Sequence, residues 1–282
     1  MGTNDWIAGG VTAPAGFRAA GVACGIKPVG LDVAIVDAGI PTSAAAVFTT
    51  NLVTAAPVLV SKSHLRTSSG RARAVVINSG CANACTGEEG LAVAQSMANA
   101  GAECLGCDPV DVLIASTGVI GVNLDGRRVI NGIANATTAL SQEGHDDAAR
   151  AILTTDVGPK ESAIRVELGT GEFRVGGMTK GAGMIEPNMA TKLAVLTTDV
   201  RITAPDLQKA LTDAVADTFN AITVDGECST NDSVFALANG AGNVEIDKDS
   251  FPIFVDTLKT VAQQLAMAIV RGAAVSYTHL RA

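Results

Sequence analysis

Short apolar runs alternate with longer amphipathic segments along the chain, and this alternation predicts strands followed by helices. Residues 74–77 form an apolar run that ends in a turn-rich Asn-Ser-Gly, and residues 91–100 then have helical character. The same order returns at residues 111–116, which precede a helical pattern over residues 124–140. The first half therefore predicts two strand-loop-helix units.

The second half of the chain predicts further elements of both kinds. Residues 164–175 contain two β-like runs around Gly-Thr-Gly, which is typical of a hairpin. Residues 193–196 and 222–224 are short apolar runs that predict strands, and between them a helix is expected from Pro205 to about residue 219. Together with the first half, this pattern predicts an α/β fold in which helices cover mixed sheets.

An amphipathic helix is expected near the C-terminus. Apolar residues recur at helical spacing from Phe254 to Ile269, so one face of this helix should pack on a sheet. The tail from about residue 272 contains the only Tyr of the chain and one of its three His. It is interpreted either as a non-native end or as a frayed native terminus.

Composition and charge narrow the class of protein. The apolar share of 48% is sufficient for a core, while 30 Gly and 3% aromatic residues indicate closely packed layers of small side chains. The net charge of −8, without a basic cluster, argues against a nucleic-acid partner. Since neither a secretory signal nor a membrane-length apolar run is found, we expect a soluble cytoplasmic protein with no membrane partner.

The six cysteines raise a hypothesis of a different class. Cys81 and Cys85, followed by Cys104 and Cys107, approach the spacing of a four-thiolate zinc site in a metal-stabilised binding module. However, the helix expected over residues 91–102 would hold the two pairs apart, and cysteine often serves as a small buried apolar residue. We therefore predict no metal site.

The most unusual stretch of the sequence leads to a threonine. Gly181 and Gly183 permit strained backbone, Pro187 fixes a turn, and Ala190 leaves space beside the hydroxyl of Thr191. This pattern suits self-cleavage between Ala190 and Thr191, after which the new α-amine, with a pKa of about 7.7–8.0, can accept the hydroxyl proton. The pattern alone is more typical of a glycine loop ahead of a buried strand.

The residues of this stretch carry a family resemblance. Lys180-Gly-Ala-Gly-Met-Ile-Glu-Pro-Asn-Met-Ala-Thr191 closely resembles the signature of the ornithine acetyltransferases, the bifunctional glutamate N-acetyltransferases of arginine biosynthesis. Further blocks resemble this family in the same order, over about Ala8 to Arg271: Gly9-Gly-Val-Thr-Ala-Pro14, Gly16-Phe-Arg-Ala-Ala-Gly21, Val47-Phe-Thr-Thr-Asn51, Asn78-Ser-Gly80, Ala82-Asn-Ala-Cys-Thr-Gly87, Ser116-Thr-Gly-Val-Ile-Gly121, Thr223-Val-Asp-Gly226 and Ser229-Thr-Asn-Asp232.

The resemblance implies a layered αββα sandwich that cleaves itself into an α chain, residues 1–190, and a β chain, residues 191–282. It implies transfer of an acetyl group from N-acetylornithine to glutamate through an acetyl ester of Thr191, in an assembly of two α and two β chains. No cofactor is implied. Acetyl-CoA is an additional donor in bifunctional relatives, and the sequence leaves open whether this chain accepts it.

The resemblance also assigns expected roles to residues outside the cleavage segment. Thr117 and Gly118 are expected to form an oxyanion hole through a hydroxyl and a backbone N–H. Lys180 is expected to bind the α-carboxylate of the substrate. One of Thr154 and Thr155 should contact the substrate, and the sequence does not decide which.

Two departures from the family pattern limit these expectations. Lys192 replaces the apolar residue that usually follows the nucleophile, and the family continues well beyond the position of Arg271. The chain is therefore expected to be a C-terminally truncated, inactive fragment or an enzyme that needs the remaining segment. A rival hypothesis keeps Thr191 as nucleophile but passes the acyl group to water, as in an N-terminal-nucleophile aminopeptidase or amidase.

Overall fold

The computed structural model describes residues 4–169, 171–184 and 193–277, and within them the backbone forms nine strands and six α-helices. The strands are β1 (Asn4–Trp6), β2 (Arg18–Val22), β3 (Val33–Phe48), β4 (Arg71–Cys81), β5 (Val112–Val119), β6 (Lys160–Leu168), β7 (Gly171–Lys180), β8 (Leu193–Thr198) and β9 (Ser233–Ala238). The helices are α1 (Ala56–Thr67), α2 (Gly87–Leu105), α3 (Gly126–Thr138), α4 (His145–Ala151), α5 (Ala204–Ala216) and α6 (Phe251–Tyr277).

All nine strands belong to one hydrogen-bonded mixed sheet. Its order is β1-β6-β7-β8-β9-β3-β4-β5, with β2 paired to β3 outside this path. The pairs β4–β5 and β8–β9 are parallel, and the other pairs are antiparallel. Strand β3 joins the two halves, because its first part pairs with β4 and its last six residues pair with β9, with a register shift between Asp37 and Thr42.

The two halves of the sheet stack face to face. Helices α1, α2, α3, α5 and α6 cover the outer faces, while the alanines of α4 pack into the cluster between the halves. Along β8, Leu193 and Val195 belong to the buried cluster between the halves, while Ala194 and Leu196 belong to the cluster under α5 and α6. Along β4, Val75 belongs to the cluster between the halves. The next residue, Val76, packs on the opposite side of the strand with α2 and α3. This alternation of side chains produces four layers and confirms the predicted αββα arrangement.

The structure also corrects the expected positions of two elements. No strand forms at residues 222–224, which follow a 3₁₀ turn at Phe219–Ala221. Ile222 and Val224 instead pack on the edge of the α5–α6 core, so their apolar character reflects burial without strand pairing. Helix α6 ends at Tyr277, beyond its expected end near Ile269, and residues 278–282 of the tail lie outside the described residues.

Helix α6 is a core helix of this fold. Over residues 251–273 it is long and apolar enough to meet the length and composition test for a membrane span. Its stripe of Phe254, Leu258, Val261, Leu265 and Ile269 is buried against the sheet in the outer cluster. The apolar character of the helix is thus accounted for by packing on the sheet.

We predict that Phe254→Ala lowers the free energy of unfolding by about 3–5 kcal/mol, because it leaves a cavity where a fully buried ring contacts Phe173. Its neighbour Ile253 is 44% exposed, so Ile253→Ala should cost only about 0.5 kcal/mol. Urea denaturation of both variants measures the difference. Equal losses would contradict the assignment of this helix face to the core.

Candidate active site

A cavity of about 540 Å³ opens where the ends of β4, β5 and β7 meet the loops that precede β3, β6 and β9. All five residues expected around the nucleophile line it, although they lie on three separate segments: Thr117, Gly118, Thr154, Thr155 and Lys180. The apolar side of the cavity is formed by Gly80, Ala82, Val119 and Ile120. The other lining residues are Lys27, Gly183, Met184, Glu227, Ser229 and Asn231. Ala190, Thr191 and Lys192 lie outside the described residues.

The backbone at Gly118 is compatible only with glycine. Gly118 pairs with Gly80 in the parallel β4–β5 ladder and has a φ of 132°. A Cβ atom added there would lie 2.3 Å from the carbonyl carbon of Gly80. The glycine therefore lets two strand ends approach each other at the cavity wall, directly after the hydroxyl of Thr117.

A buried amide fixes this wall to the loop that follows residue 225. The side-chain amide of Asn231 donates hydrogen bonds to the carbonyls of Ala82, at 2.6 Å, and Ser116, at 3.0 Å. Ser116 in turn donates to Asn78 Oδ1 at 2.6 Å. The loop that contains the family-like block Ser229-Thr-Asn-Asp232 thus lines the cavity, through Glu227, Ser229 and Asn231.

Lys180 is the buried cation of the cavity. Its side chain is at the end of β7 and the residue is only 5% exposed. Nζ donates to Thr117 Oγ1 at 3.1 Å and to Thr154 Oγ1 at 2.7 Å, so it joins two of the predicted site residues directly. Thr155 also lines the cavity but is exposed. Burial lowers the pKa of Lys180, because desolvation disfavours the ammonium.

A second lysine reaches the cavity from a loop before β3. The carboxylate of Asp32 accepts backbone hydrogen bonds from Cys24 and Ile26, both at 2.7 Å, and from Lys27 at 3.0 Å, which anchors this loop. Lys27 Nζ donates to the carbonyl of Leu153 at 2.9 Å. Burial lowers the pKa of Lys27, and the charges of Asp32 and Asp156 oppose that effect. Lys27 could not be predicted from the sequence, because a lone lysine among glycines carries no motif.

Asp156 is a further residue near the site for which the sequence predicted no role. It directly follows the two threonines, and its side chain is fully shielded from solvent. Oδ1 accepts from Lys160 Nζ at 2.6 Å and from the backbone N–H of Gly181 at 2.7 Å, while Oδ2 accepts from the N–H of Thr154 at 3.2 Å. The only sequence signal for this role was a carboxylate next to the predicted substrate threonines.

The four cysteines of the zinc hypothesis do not converge. Helix α2 has 19 residues and separates Cys81 and Cys85 from Cys104 and Cys107 by a length of roughly 28 Å. Among residues 4–169, 171–184 and 193–277, no group of three or more His, Cys, Asp or Glu could hold a metal ion. The fold therefore gives no support to a metal-stabilised module.

Comparison with known proteins gives a consistent result. A sequence model of the ArgJ family matches residues 18–279. The chain is 52% identical to the arginine biosynthesis bifunctional protein ArgJ of Symbiobacterium thermophilum over 95% of the chain and 67% of that protein. It is 45% identical to the ArgJ protein of Dehalococcoides mccartyi over 93% of the chain and 65% of that protein. The chain thus spans about two thirds of the length of these curated relatives.

Solved structures match in fold and, in two cases, in sequence. An ornithine acetyltransferase of Mycobacterium tuberculosis, solved in complex with ornithine, has a TM-score of 0.60 and 40% identity over 68% of this chain and all of that chain. The ArgJ protein of Bacillus halodurans has a TM-score of 0.63 and 37% identity over 67% of this chain and all of that chain. A β-aminopeptidase of Burkholderia has a TM-score of 0.58 at 9% identity over 96% of this chain and 88% of that chain, which indicates a shared fold alone.

We predict that Gly118→Ala lowers the free energy of unfolding by about 1–3 kcal/mol, because the new methyl group would overlap the backbone of Gly80 at a positive φ. Gly158→Ala is the matched control, since nothing lies within 4 Å of a Cβ at that position. It should change the free energy by no more than about 0.5 kcal/mol. The midpoints of urea denaturation measure both effects, and a tolerated Gly118→Ala would contradict the close strand approach.

Proposed function

The chain belongs to the ArgJ family, and from this premise we propose that it transfers the acetyl group of N²-acetyl-L-ornithine to L-glutamate through an acetyl ester of Thr191. The observation that carries the proposal is the convergence of Thr117, Gly118, Thr154 and Lys180 in one cavity. That cavity includes Gly183 and Met184, which directly precede the segment that contains Thr191. The proposed activity belongs to arginine biosynthesis, as the names of the relatives indicate.

The proposed chemistry requires a nucleophile, a base and an oxyanion hole from the chain. The α-amine of Thr191 takes the hydroxyl proton as Oγ1 attacks the acetyl carbonyl, and the tetrahedral oxyanion forms opposite the Thr117 hydroxyl and the Gly118 N–H. Collapse of this intermediate breaks the amide bond and releases ornithine, whose amine takes the proton. The amine of glutamate then attacks the ester, and Thr191 regains its proton as N-acetylglutamate forms.

Charged groups in the cavity support the choice of amino-acid substrates. Lys180 uses two hydrogen bonds on Thr117 and Thr154, which leaves its third N–H for a substrate carboxylate. Thr154 and Thr155 both line the cavity and remain the proposed substrate threonines. The proposed reaction involves no metal, and acetyl-CoA would enter only as a second acetyl donor.

Self-cleavage between Ala190 and Thr191 is the proposed source of the free α-amine. Attack of the Thr191 hydroxyl on the carbonyl of Ala190 converts the peptide bond into an ester, and water then hydrolyses this ester. The resulting pieces, residues 1–190 and 191–282, would stay together, because fully buried β8 lies between β7 of one piece and β9 of the other. We further propose an assembly of two α and two β chains in the cytoplasm.

We predict that the purified chain gives two bands on a denaturing gel and that Thr191→Ala gives one, because only a hydroxyl or thiol can start the acyl shift. Thr191→Ser keeps the hydroxyl and should restore two bands. The same three variants are compared in a version extended with the corresponding C-terminal segment of the Symbiobacterium thermophilum relative. A folded parent that stays intact in both versions would contradict self-processing.

We predict that Thr117→Ala lowers the rate of acetyl transfer by about 10²–10³, because one of two oxyanion donors is lost. Thr117→Ser retains the donor and should stay close to the parent. The assay follows N-acetylglutamate formed from N-acetylornithine and glutamate, with acetate measured in parallel. Acetate as the sole product would identify water as the acceptor and would support the amidase hypothesis instead.

A further inference from the structure

Asp156 links three parts of the candidate site that lie on different segments. Its carboxylate binds the backbone of Thr154 in the substrate loop, Lys160 at the start of β6, and Gly181 directly after β7. Lys160 and Thr179 are register partners across the β6–β7 pair, so Asp156 lies where this hairpin opens towards the cavity. These three contacts use both carboxylate oxygens without any contact to solvent.

We propose that Asp156 is a positioning residue that keeps Lys180 charged against Thr117 and Thr154 and fixes the start of the segment leading to Thr191. This inference rests on the proposed acetyl transfer for its functional meaning. Asp156 itself does not line the cavity. It acts through Lys180 and through the backbone of Gly181 and Thr154.

The protonation state of Lys180 determines whether the hydroxyl groups of Thr117 and Thr154 accept or donate the hydrogen bond to its Nζ. A protonated lysine has three donors and no acceptor, so Thr117 Oγ1 and Thr154 Oγ1 must accept its hydrogen bonds. Each hydroxyl then keeps its own proton for another acceptor, such as a developing oxyanion in the cavity. A neutral amine has two donors and one lone pair, so it could accept one of these protons instead. Loss of the lysine charge would therefore remove the constraint that keeps the Thr117 proton available for its proposed target.

The groups around Lys180 make Asp156 the main support of that charge. Burial lowers the pKa of Lys180, the carboxylates of Asp156 and Asp232 raise it, and the ammonium groups of Lys160 and Lys27 lower it. Asp156 is the stronger of the two supporting charges. Burial raises the pKa of Asp156, but Lys180 and Lys160 outweigh that effect and hold it below the ordinary value. Asp156 is thus a carboxylate while the lysines are charged.

Asp156→Asn tests the proposal, because the amide keeps the size and an acceptor oxygen but removes the charge. The pKa of Lys180 is measured by NMR on ¹³Cε-labelled lysine, with the Lys180 signal assigned by its loss in Lys180→Met. We expect Asp156→Asn to lower the pKa of Lys180 by about one unit or more. An unchanged Lys180 titration would overturn the proposal.

Asp199→Asn is the matched control. Asp199 is also a buried carboxylate that accepts backbone hydrogen bonds, from Ala15 at 3.0 Å and Arg174 at 2.8 Å, but it does not line the cavity or act on Lys180. It should leave the Lys180 pKa at the parental value. A shift as large as that of Asp156→Asn would show a general response to lost buried charge and would overturn the specific role.

The acetyl-transfer assay adds a functional readout. Activity that needs the Lys180 ammonium falls as the pH rises through its pKa, so Asp156→Asn should move this alkaline fall to lower pH by the same shift. A merely structural role would reduce the rate at every pH without moving the fall, and that result would contradict the proposal. If the parent transfers no acetyl group, the proposed function fails, while the NMR titration still decides the role of Asp156.

A reciprocal measurement covers the case in which Asp156→Asn does not fold. Because coupling between two sites is mutual, Lys180→Met should raise the pKa of Asp156, measured by NMR on ¹³Cγ-labelled aspartate. An Asp156 carboxyl that titrates as in the parent would overturn the proposal independently of the first variant.

Discussion

The pairing of β3 with both halves of the sheet is the constraint on which the architecture depends. Its first part pairs with β4 and its last part with β9, so one strand connects two half-sheets that stack on each other. Alanines supply many of the side chains between the halves, including Ala34 and Ala44. The ends of β4, β5 and β7, which come from both half-sheets, meet at one cavity.

The cavity depends on a close approach of two strand ends and on a buried positive charge, and different segments of the chain supply these two features. Glycine at residue 118 permits the close approach of two strand ends, which places Thr117 at the wall. Lys180 provides a buried charge next to that hydroxyl, and Asp156 compensates the charge from the opposite loop. Because a buried ammonium is stable only when paired and hydrogen-bonded, these groups are mutually dependent.

Sequence periodicity predicted most of the elements that surround this site. The β4–α2 and β5–α3 units, the β6–β7 hairpin, β8 and α5 all occur where the pattern indicated them. It was wrong at residues 222–224, where alternating apolar residues pack on a core edge without pairing in a sheet. A local apolar pattern indicates which side chains are buried. It contains no information on whether a partner strand is present to form backbone hydrogen bonds.

By itself, the sequence determined the family and five of the cavity-lining residues. The family and these residues can be recognised from short contiguous motifs, which do not depend on knowledge of the fold. Only the tertiary structure decided that Lys180 contacts Thr117 and Thr154, that Asp156 supports this charge, and that Lys27 enters the cavity. These contacts join residues distant in the chain, and no periodicity or spacing encodes them. Charge compensation in a buried site depends on distances that only the folded sheet establishes.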